Sequence, residues 1–327
     1  MRKKYNWGIL APGKIAHKFA EGLKILEKAN LYSVGSRSAE RAAAFAKEHG
    51  FAKHYGSYHE MVADPLLDIV YIASPHSHHM EHTLLCLGHG KNVICEKAFA
   101  MNSSEVNTMI SMAEEKDLFL MEALWPPFQP SYIKALDALK RGNLGEVLYL
   151  RSHFAFKAPY DPDGRLFNPK LGGGALLDIG IYPLIDTLTF IGKPITIEAF
   201  ASFAPSGVDH TVDIHLDMGK GRYASLYASL NSPGGICTEL FCSNGKITLS
   251  RNRDLTQTCK IEAEESDPLV YTFKPAAMGY HLEAIEVMDC LDRQVGQSSY
   301  VSWSFSRDLI ETMDAVRKRI NLVYPGN

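Results

Sequence analysis

A chain of 327 residues is long for one hydrophobic core and is read as two domains of ordinary size. Apolar residues make up 46% and charged residues 22%, with a formal net charge of −3, so there is no basic stripe for nucleic acid or an anionic membrane. A small molecule is the expected partner.

The segment Met1 to Trp7 is basic and runs straight into a strand-like stretch without a cleavage site, so no secretion signal is expected. No window is read as reaching the roughly 20 apolar residues that cross a bilayer, and the expected location is the cytoplasm. The six cysteines, at 86, 95, 237, 242, 259 and 290, form no C-x-x-C pair, so neither disulfides nor a metal is expected. His78 and His82 are one helical turn apart with His79 beside them, but no cysteine or carboxylate cluster completes a metal set.

Over the first 120 or so residues, short apolar runs alternate with helical patterns, the form of a parallel sheet wrapped by helices. Strands are expected at Trp7 to Leu10, Leu31 to Ser36, Ile69 to Ala73, Asn92 to Cys95 and Leu118 to Met121. Between the first two, Ile15, Phe19, Leu23 and Leu26 recur at helical spacing over Lys14 to Leu26 and form one apolar face. After Trp125 the prolines at 126, 127 and 130 break the pattern, which places the boundary near Glu122: a nucleotide-binding domain over 1–122 and a substrate and dimerisation domain over 123–327. A helix is expected near Ser131 to Arg141. Beyond it, Val147 to Phe156, Ile195 to Phe203, Thr211 to Asp217 and Arg222 to Leu230 read as strands of a large, mostly antiparallel open sheet. Helices near Leu176 to Ile191, Leu282 to Arg293 and Ser304 to Ile320 are available to cover one of its faces. The expected fold is therefore α/β followed by α+β.

The first strand ends in Gly8-Ile9-Leu10-Ala11-Pro12-Gly13-Lys14-Ile15-Ala16, a variant of the glycine-rich turn that opens a dinucleotide-binding Rossmann helix. Ala11 stands in the place of the first glycine. Gly13 remains where the backbone approaches a pyrophosphate, and the phosphates would sit on the helix N-terminus. Where an acidic residue would bind the ribose 2′-hydroxyl of NAD, the second strand ends in Gly35-Ser36-Arg37-Ser38. A guanidinium and two hydroxyls suit the 2′-phosphate of NADP, which is favoured over NAD; the plainer reading of Arg37 is a solvated turn residue.

Two further strands end in polar groups, Ser74-Pro75-His76-Ser77-His78-His79 and Cys95-Glu96-Lys97-Ala98. Carboxyl ends of parallel strands are where ligands bind. Here the chain resembles the Gfo/Idh/MocA family of oxidoreductases, whose Glu-Lys-Pro signature appears as Glu96-Lys97-Ala98 after Gly90-Lys91-Asn92-Val93-Ile94-Cys95, with alanine replacing the proline. Gly142-Asn143-Leu144-Gly145-Glu146-Val147 resembles the family's entry into its second domain. Gly172-Gly173-Gly174-Ala175-Leu176-Leu177-Asp178-Ile179-Gly180-Ile181-Tyr182 resembles its glycine-led substrate helix. Tyr182, where many members carry histidine, and Met121-Glu122-Ala123-Leu124-Trp125 are closest in motif to the branch of dimeric dihydrodiol dehydrogenases and NADP-dependent D-xylose dehydrogenases.

The resemblance implies NADP-linked hydride transfer at an alcohol or carbonyl carbon of a sugar, polyol or trans-dihydrodiol, and a homodimer through the open face of the C-terminal sheet. It implies a cofactor site of Ala11, Pro12, Gly13, Lys14, Ile15, Ser36, Arg37, Ser74, His76, His79, Glu96 and Lys97. The reaction needs a group that takes the alcohol proton and returns it in the reverse direction. Tyr182 can do so with Lys97 as partner, because an ammonium favours a nearby phenolate; the roles can also be reversed. Asp178 is four residues before Tyr182, so on a helix the two share a face, and it would accept a substrate hydroxyl. Trp125, Phe154 and Tyr280 would wall the substrate pocket. Taken singly, Lys97 reads as a solvated lysine, and Tyr182, Trp125 and Phe154 as packed aromatics; their place in family motifs is what assigns them function. The alternatives are other chemistry of the same family, such as inositol or amino-sugar oxidation, imine reduction or hydride-relay hydrolysis, and a non-catalytic NADP-binding sensor.

Overall fold

The computed structural model describes residues 4–252, 255–264 and 266–325, so Met1 to Lys3 of the basic N-terminus lie outside the described residues. Two compact units emerge, one of residues 1–128 and 276–306 and the other of residues 129–275 and 307–327. The division differs from a cut at Glu122 in two ways. The strand holding Glu122 continues through Ala123 in the first unit, and the chain returns to that unit after Pro275. A return of this kind leaves no mark in composition, because the returning helix is amphipathic like any other.

The first unit has strands β1 (Tyr5–Leu10), β2 (Ala29–Gly35), β3 (Lys53–Tyr55), β4 (Ile69–Ile72), β5 (Asn92–Glu96) and β6 (Leu120–Ala123). Its helices are α1 (Lys14–Lys24), α2 (Ala39–His49), α3 (Tyr58–Val62), α4 (His79–Gly88) and α5 (Ser103–Glu115). The sheet order β3-β2-β1-β4-β5-β6, with every pair parallel, is the doubly wound Rossmann order. Trp7, Ile9 and Leu10 of β1 and all four residues of β4 are fully buried, as central strands covered on both faces must be. On α1 the buried residues are Ala16, Phe19, Ala20, Gly22 and Leu23. The expected face of Ile15, Phe19, Leu23 and Leu26 is thus only half right: Ile15 is half-buried, and Leu26 lies past the end of the helix. Phe19 stacks on Tyr71 of β4 at 3.8 Å, which holds α1 on the sheet. β6 begins two residues later than expected, and the three-residue β3 was not expected.

The second unit has helices α6 (Pro130–Lys140) and α7 (Ile181–Phe190) and strands β7 (Val147–Ala155), β8 (Thr196–Phe203), β9 (Asp209–Gly219), β10 (Arg222–Ser229), β11 (Gly235–Cys242), β12 (Gly245–Arg251), β13 (Gln257–Ala263) and β14 (Leu269–Phe273). Their order is β14-β13-β12-β11-β7-β10-β9-β8, antiparallel except for the pair β7 and β10. Leu150, Ile214, Leu226, Leu240, Ile247 and Cys259 form the buried face, against which α6 and α7 pack. The strands β11 to β14 were not singled out in the sequence, although in β12 the apolar Ile247 and Leu249 alternate with Lys246, Thr248 and Ser250. Helix α8 (Tyr280–Asp292) belongs to the first unit, and α9 (Trp303–Arg319) begins in the first and continues in the second. Pro169–Phe190, contrary to expectation, is long and apolar enough by composition to cross a membrane, but 89% of its apolar window is buried inside the protein.

Candidate active site

In the first unit, the sheet order reverses between β1 and β4, and the glycine-rich turn lies at that switch point. Ala11 takes a left-handed conformation, φ 65°, and its N–H donates to Gly35 O, while Ala73 N–H donates to Leu10 O, joining the ends of β1, β2 and β4. Gly13 caps α1. A Cβ built there meets nothing closer than Ala73 O at 3.8 Å, so the protein's own packing does not demand glycine, and the open space leaves room for a phosphate to approach the backbone. No side chain caps the first N–H groups of α1, and its first turn holds no acidic residue, although Lys14 stands at its start. These features fit a dinucleotide pyrophosphate.

At the end of β2, Ser36 is buried and accepts from Ser38 N–H, and Ser38 accepts from Arg41 N–H as the cap of α2. Arg37 is exposed between them, beside Tyr58, and makes no ion pair among the described residues. A permanent charge held there without a carboxylate fits the 2′-phosphate of the dinucleotide.

At the ends of β4 and β5, His79 has Nδ1 2.7 Å from Ala98 O and Nε2 2.7 Å from Ser74 O. Burial draws its ring down to about 4, although the two carbonyls work the other way. His79 thus lies between the loops after β4 and β5, and as a neutral ring it donates to one of the two carbonyls. Ser74 Oγ is bonded to His82, and His76 is buried with its ring 5.7 Å from that of His79. Glu96 accepts from Tyr71 OH at 2.5 Å, which turns its carboxylate inward beneath the strand end. Lys97 is half-buried, and the Lys97–Ala98 peptide is cis even though alanine replaces the family's proline. Trp125 Nε1–H donates to Met278 O, and its ring centroid is 6.4 Å from that of Tyr280, so these two expected pocket residues do meet within this unit.

Glu122 was quoted in the sequence only as part of a branch motif. It is buried on β6, accepts from Phe99 N–H at 2.9 Å and Ser306 Oγ–H at 2.7 Å, and so anchors the peptide that follows Ala98. Burial, aided by Glu96, pushes its carboxyl up to about 7. The folded chain then binds more protons than the unfolded one between the ordinary carboxylate value of 4.5 and about 7, so the contribution of this group to stability falls as pH rises through that window. Glu122→Gln keeps an acceptor for Phe99 and removes the titration. Its melting temperature should therefore fall less than that of the parent between acidic and neutral buffer; an unchanged difference would remove Glu122 from the account. Asp209 in the second unit, raised by burial to about 7, leaves part of the slope in place.

In the second unit, the glycine-led segment opens as a π-helical turn, Leu176–Gly180, and only then becomes α7. The wider turn still leaves Asp178 and Tyr182 close to the same side, since four residues are nearly one turn in either form. Asp178 is buried and accepts from Arg165 Nη1 at 2.7 Å. Tyr182 lies with its ring centroid 5.3 Å from that of Phe154, and the Arg251 guanidinium is 5.8 Å from the Phe154 ring and 6.0 Å from the Tyr182 ring. The structure thus brings together Tyr182 and Phe154 with Arg251 beside them, and sets Arg165 on Asp178; sequence reasoning missed both guanidiniums. Neither lies in a family motif quoted above, and nothing in local pattern marked them. One turn beyond Tyr182, buried Asp186 accepts from Tyr132 OH, Ser152 Oγ and Thr238 Oγ1 at 2.5–2.7 Å, tying α7 to α6, β7 and β11. Lys97 belongs to the first unit and Asp178 and Tyr182 to the second.

Residues 5–124 match the model of the oxidoreductase family with an NAD-binding Rossmann fold, and residues 132–248 match the GFO/IDH/MocA C-terminal domain. The trans-1,2-dihydrobenzene-1,2-diol dehydrogenase of Xenopus laevis is 32% identical over 98% of this chain and 99% of its own length. That of Danio rerio is 33% identical over 98% of both. Among solved structures, KijD10, a 3-ketoreductase from Actinomadura kijaniata in complex with NADP and TDP-benzene, shares the fold with a TM-score of 0.87 at 21% identity, over 97% of this chain and 98% of that one. A Rossmann sheet with a cofactor-shaped turn, family matches on both parts of the chain and full-length relatives above 30% identity together mean that this chain belongs to the GFO/IDH/MocA family of oxidoreductases.

Proposed function

We propose that the chain is an NADP-dependent dehydrogenase or reductase acting on an alcohol or carbonyl carbon of a sugar, polyol or trans-dihydrodiol. Full-length similarity to enzymes named trans-1,2-dihydrobenzene-1,2-diol dehydrogenase supports the substrate class. The observation that carries the cofactor reading is Arg37, exposed and without an ion pair among the described residues at the end of β2, where an NAD enzyme would hold a carboxylate.

Ala11, Pro12, Gly13 and the start of α1 at Lys14 and Ile15 hold the pyrophosphate, Ser36 and Arg37 the 2′-phosphate, and Ser74, His76 and Glu96 with Lys97 the nicotinamide end. The bound cofactor supplies the hydride acceptor or donor. Lys97 and Tyr182 take the proton of the alcohol and return it in reduction, Asp178 accepts a second substrate hydroxyl, and Arg165 orients that carboxylate. Trp125, Phe154 and Tyr280 wall the substrate. The same reading takes the protein as cytoplasmic and as a homodimer through the outer face of the C-terminal sheet. Phe200 and Tyr223 are exposed on that face, 67% and 52%, with Tyr149 and Phe241 beside them, an apolar surface a monomer would leave in water. Light scattering checks the dimer.

The test mixes the protein with NADP or NAD and a panel of aldoses and trans-diols and follows absorbance of the reduced cofactor. Turnover with NADP and at least one substrate is expected; tight NADP binding with no turnover on any would favour the sensor. Arg37→Ala should weaken NADP binding by about tenfold or more and leave NAD nearly unaffected, because a charge-assisted bond contributes roughly 1.5 to 3 kcal/mol. Equal losses for both would mean that Arg37 is structural.

A further inference from the structure

We propose that His17, Glu48 and His49 form a binding site for a first-row divalent cation where α1 packs against the C-terminal end of α2. His17 Nδ1, His49 Nε2 and Glu48 Oε1 converge in a small triangle: 2.8 Å between the two nitrogens, 3.2 Å from His17 to Glu48 and 3.3 Å from His49 to Glu48. A point in the plane of these atoms lies about 1.8 Å from all three, so an ion at zinc bond lengths of about 2.0–2.1 Å would sit roughly 1 Å above it. Two imidazoles and a carboxylate are a donor set suited to zinc and its neighbours.

The surroundings support a built site. His49 Nδ1 is 3.1 Å from Glu21 Oε1, one turn after His17 on α1, so its N–H donates there and the Nε2 lone pair faces the other two ligands. A carboxylate behind a ligating histidine in this way fixes the tautomer. The Phe45 ring packs against both imidazoles, at 4.7 Å from His17 and 4.4 Å from His49. Gly50 ends α2 with φ 83° and bonds its N–H to Ala46 O, which fixes the turn that carries Glu48 and His49. The side chain of His49 is 3% exposed whereas His17 and Glu48 are 43% and 60% exposed, so one side is rigid and the other open to water as a fourth ligand. The nearby ammonium of Lys24 is paired with Glu21 at 2.7 Å, which limits its repulsion of a cation. This cluster differs from His78, His79 and His82, of which His79 and His82 are bound to Ala98, Ser74 O and Ser74 Oγ. His17 stands 32 residues before His49 and joins it and the adjacent Glu48 only through helix packing, which is why the sequence alone led to the expectation of no metal.

The full-length protein, stripped with a chelator, is titrated with Zn²⁺ by calorimetry and with Co²⁺ by absorption. One equivalent of each should bind with micromolar affinity or better, the cobalt spectrum should lack a thiolate charge-transfer band, and zinc should raise the melting temperature. His17→Ala combined with Glu48→Ala changes two exposed side chains; it should keep the parent's circular dichroism and lose the tight equivalent. Glu21→Ala, which touches no ligand atom of the ion, should weaken zinc by about 10- to 100-fold. Absence of a tight equivalent in the parent, a thiolate band, or parent affinity in the double variant would each overturn the proposal.

Discussion

Turnover on a confirmed substrate should fall by about 100-fold or more in Tyr182→Phe, with NADP affinity and melting temperature nearly unchanged. Phenylalanine keeps the ring and its packing beside Phe154 but has no hydroxyl to carry the transferred proton. Lys97→Met should lower turnover comparably, since methionine preserves the length of the stem and removes the ammonium. If the two residues serve one proton-transfer step, the double variant should be little slower than the worse single one, because groups that act as a unit are strongly non-additive. Rate losses that multiply would assign them to separate steps. Near-normal turnover in Tyr182→Phe would transfer the role to Lys97 alone.

Gly174→Ala should destabilise the folded protein by about 3–5 kcal/mol, the sum of a strained backbone and an overpacked contact. Gly174 has φ 122°, outside what L side chains adopt with ease, and a Cβ there would fall 2.2 Å from Asp209 Oδ1. Asp209 is fully buried and accepts the Leu176 N–H with its other oxygen at 2.7 Å, so it cannot withdraw without freeing the first turn of the glycine-led helix. Chemical denaturation checks the loss. A cost below about 1 kcal/mol would show that Asp209 and the local backbone accommodate the added methyl group and that the glycine is not required by the fold.

These two predictions differ in how they became visible. Tyr182, Lys97 and Gly13 stood out in the sequence as candidates because each lies in a short segment where local geometry and chemistry coincide: a strand end, a helix start, a four-residue spacing. Asp209 could not, although it is what makes Gly174 necessary, because the contact joins positions 35 residues apart through a buried carboxylate. The same holds for Arg165 on Asp178 and Ser306 on Glu122. In each case a polar group removed from water needs a partner, and only the fold decides which residue supplies it.

The parallel sheet, the glycine-rich turn and the mostly antiparallel sheet follow from periodicity and turn residues, which act over a few neighbours, whereas the strand order came only with the fold. His79 shows where such reading stops. Its place beside His76 pointed to the cofactor; that its ring would also lie 2.7 Å from two carbonyls, Ser74 O and Ala98 O, was decided by the fold. The return of residues 276–306 to the first unit was likewise a tertiary matter, since an amphipathic helix records that it will be buried and not against what. Chain-local chemistry thus determined the fold class and nominated the candidate reactive groups. Packing decided their partners, because burial energy depends on which surfaces meet and not on their order along the chain.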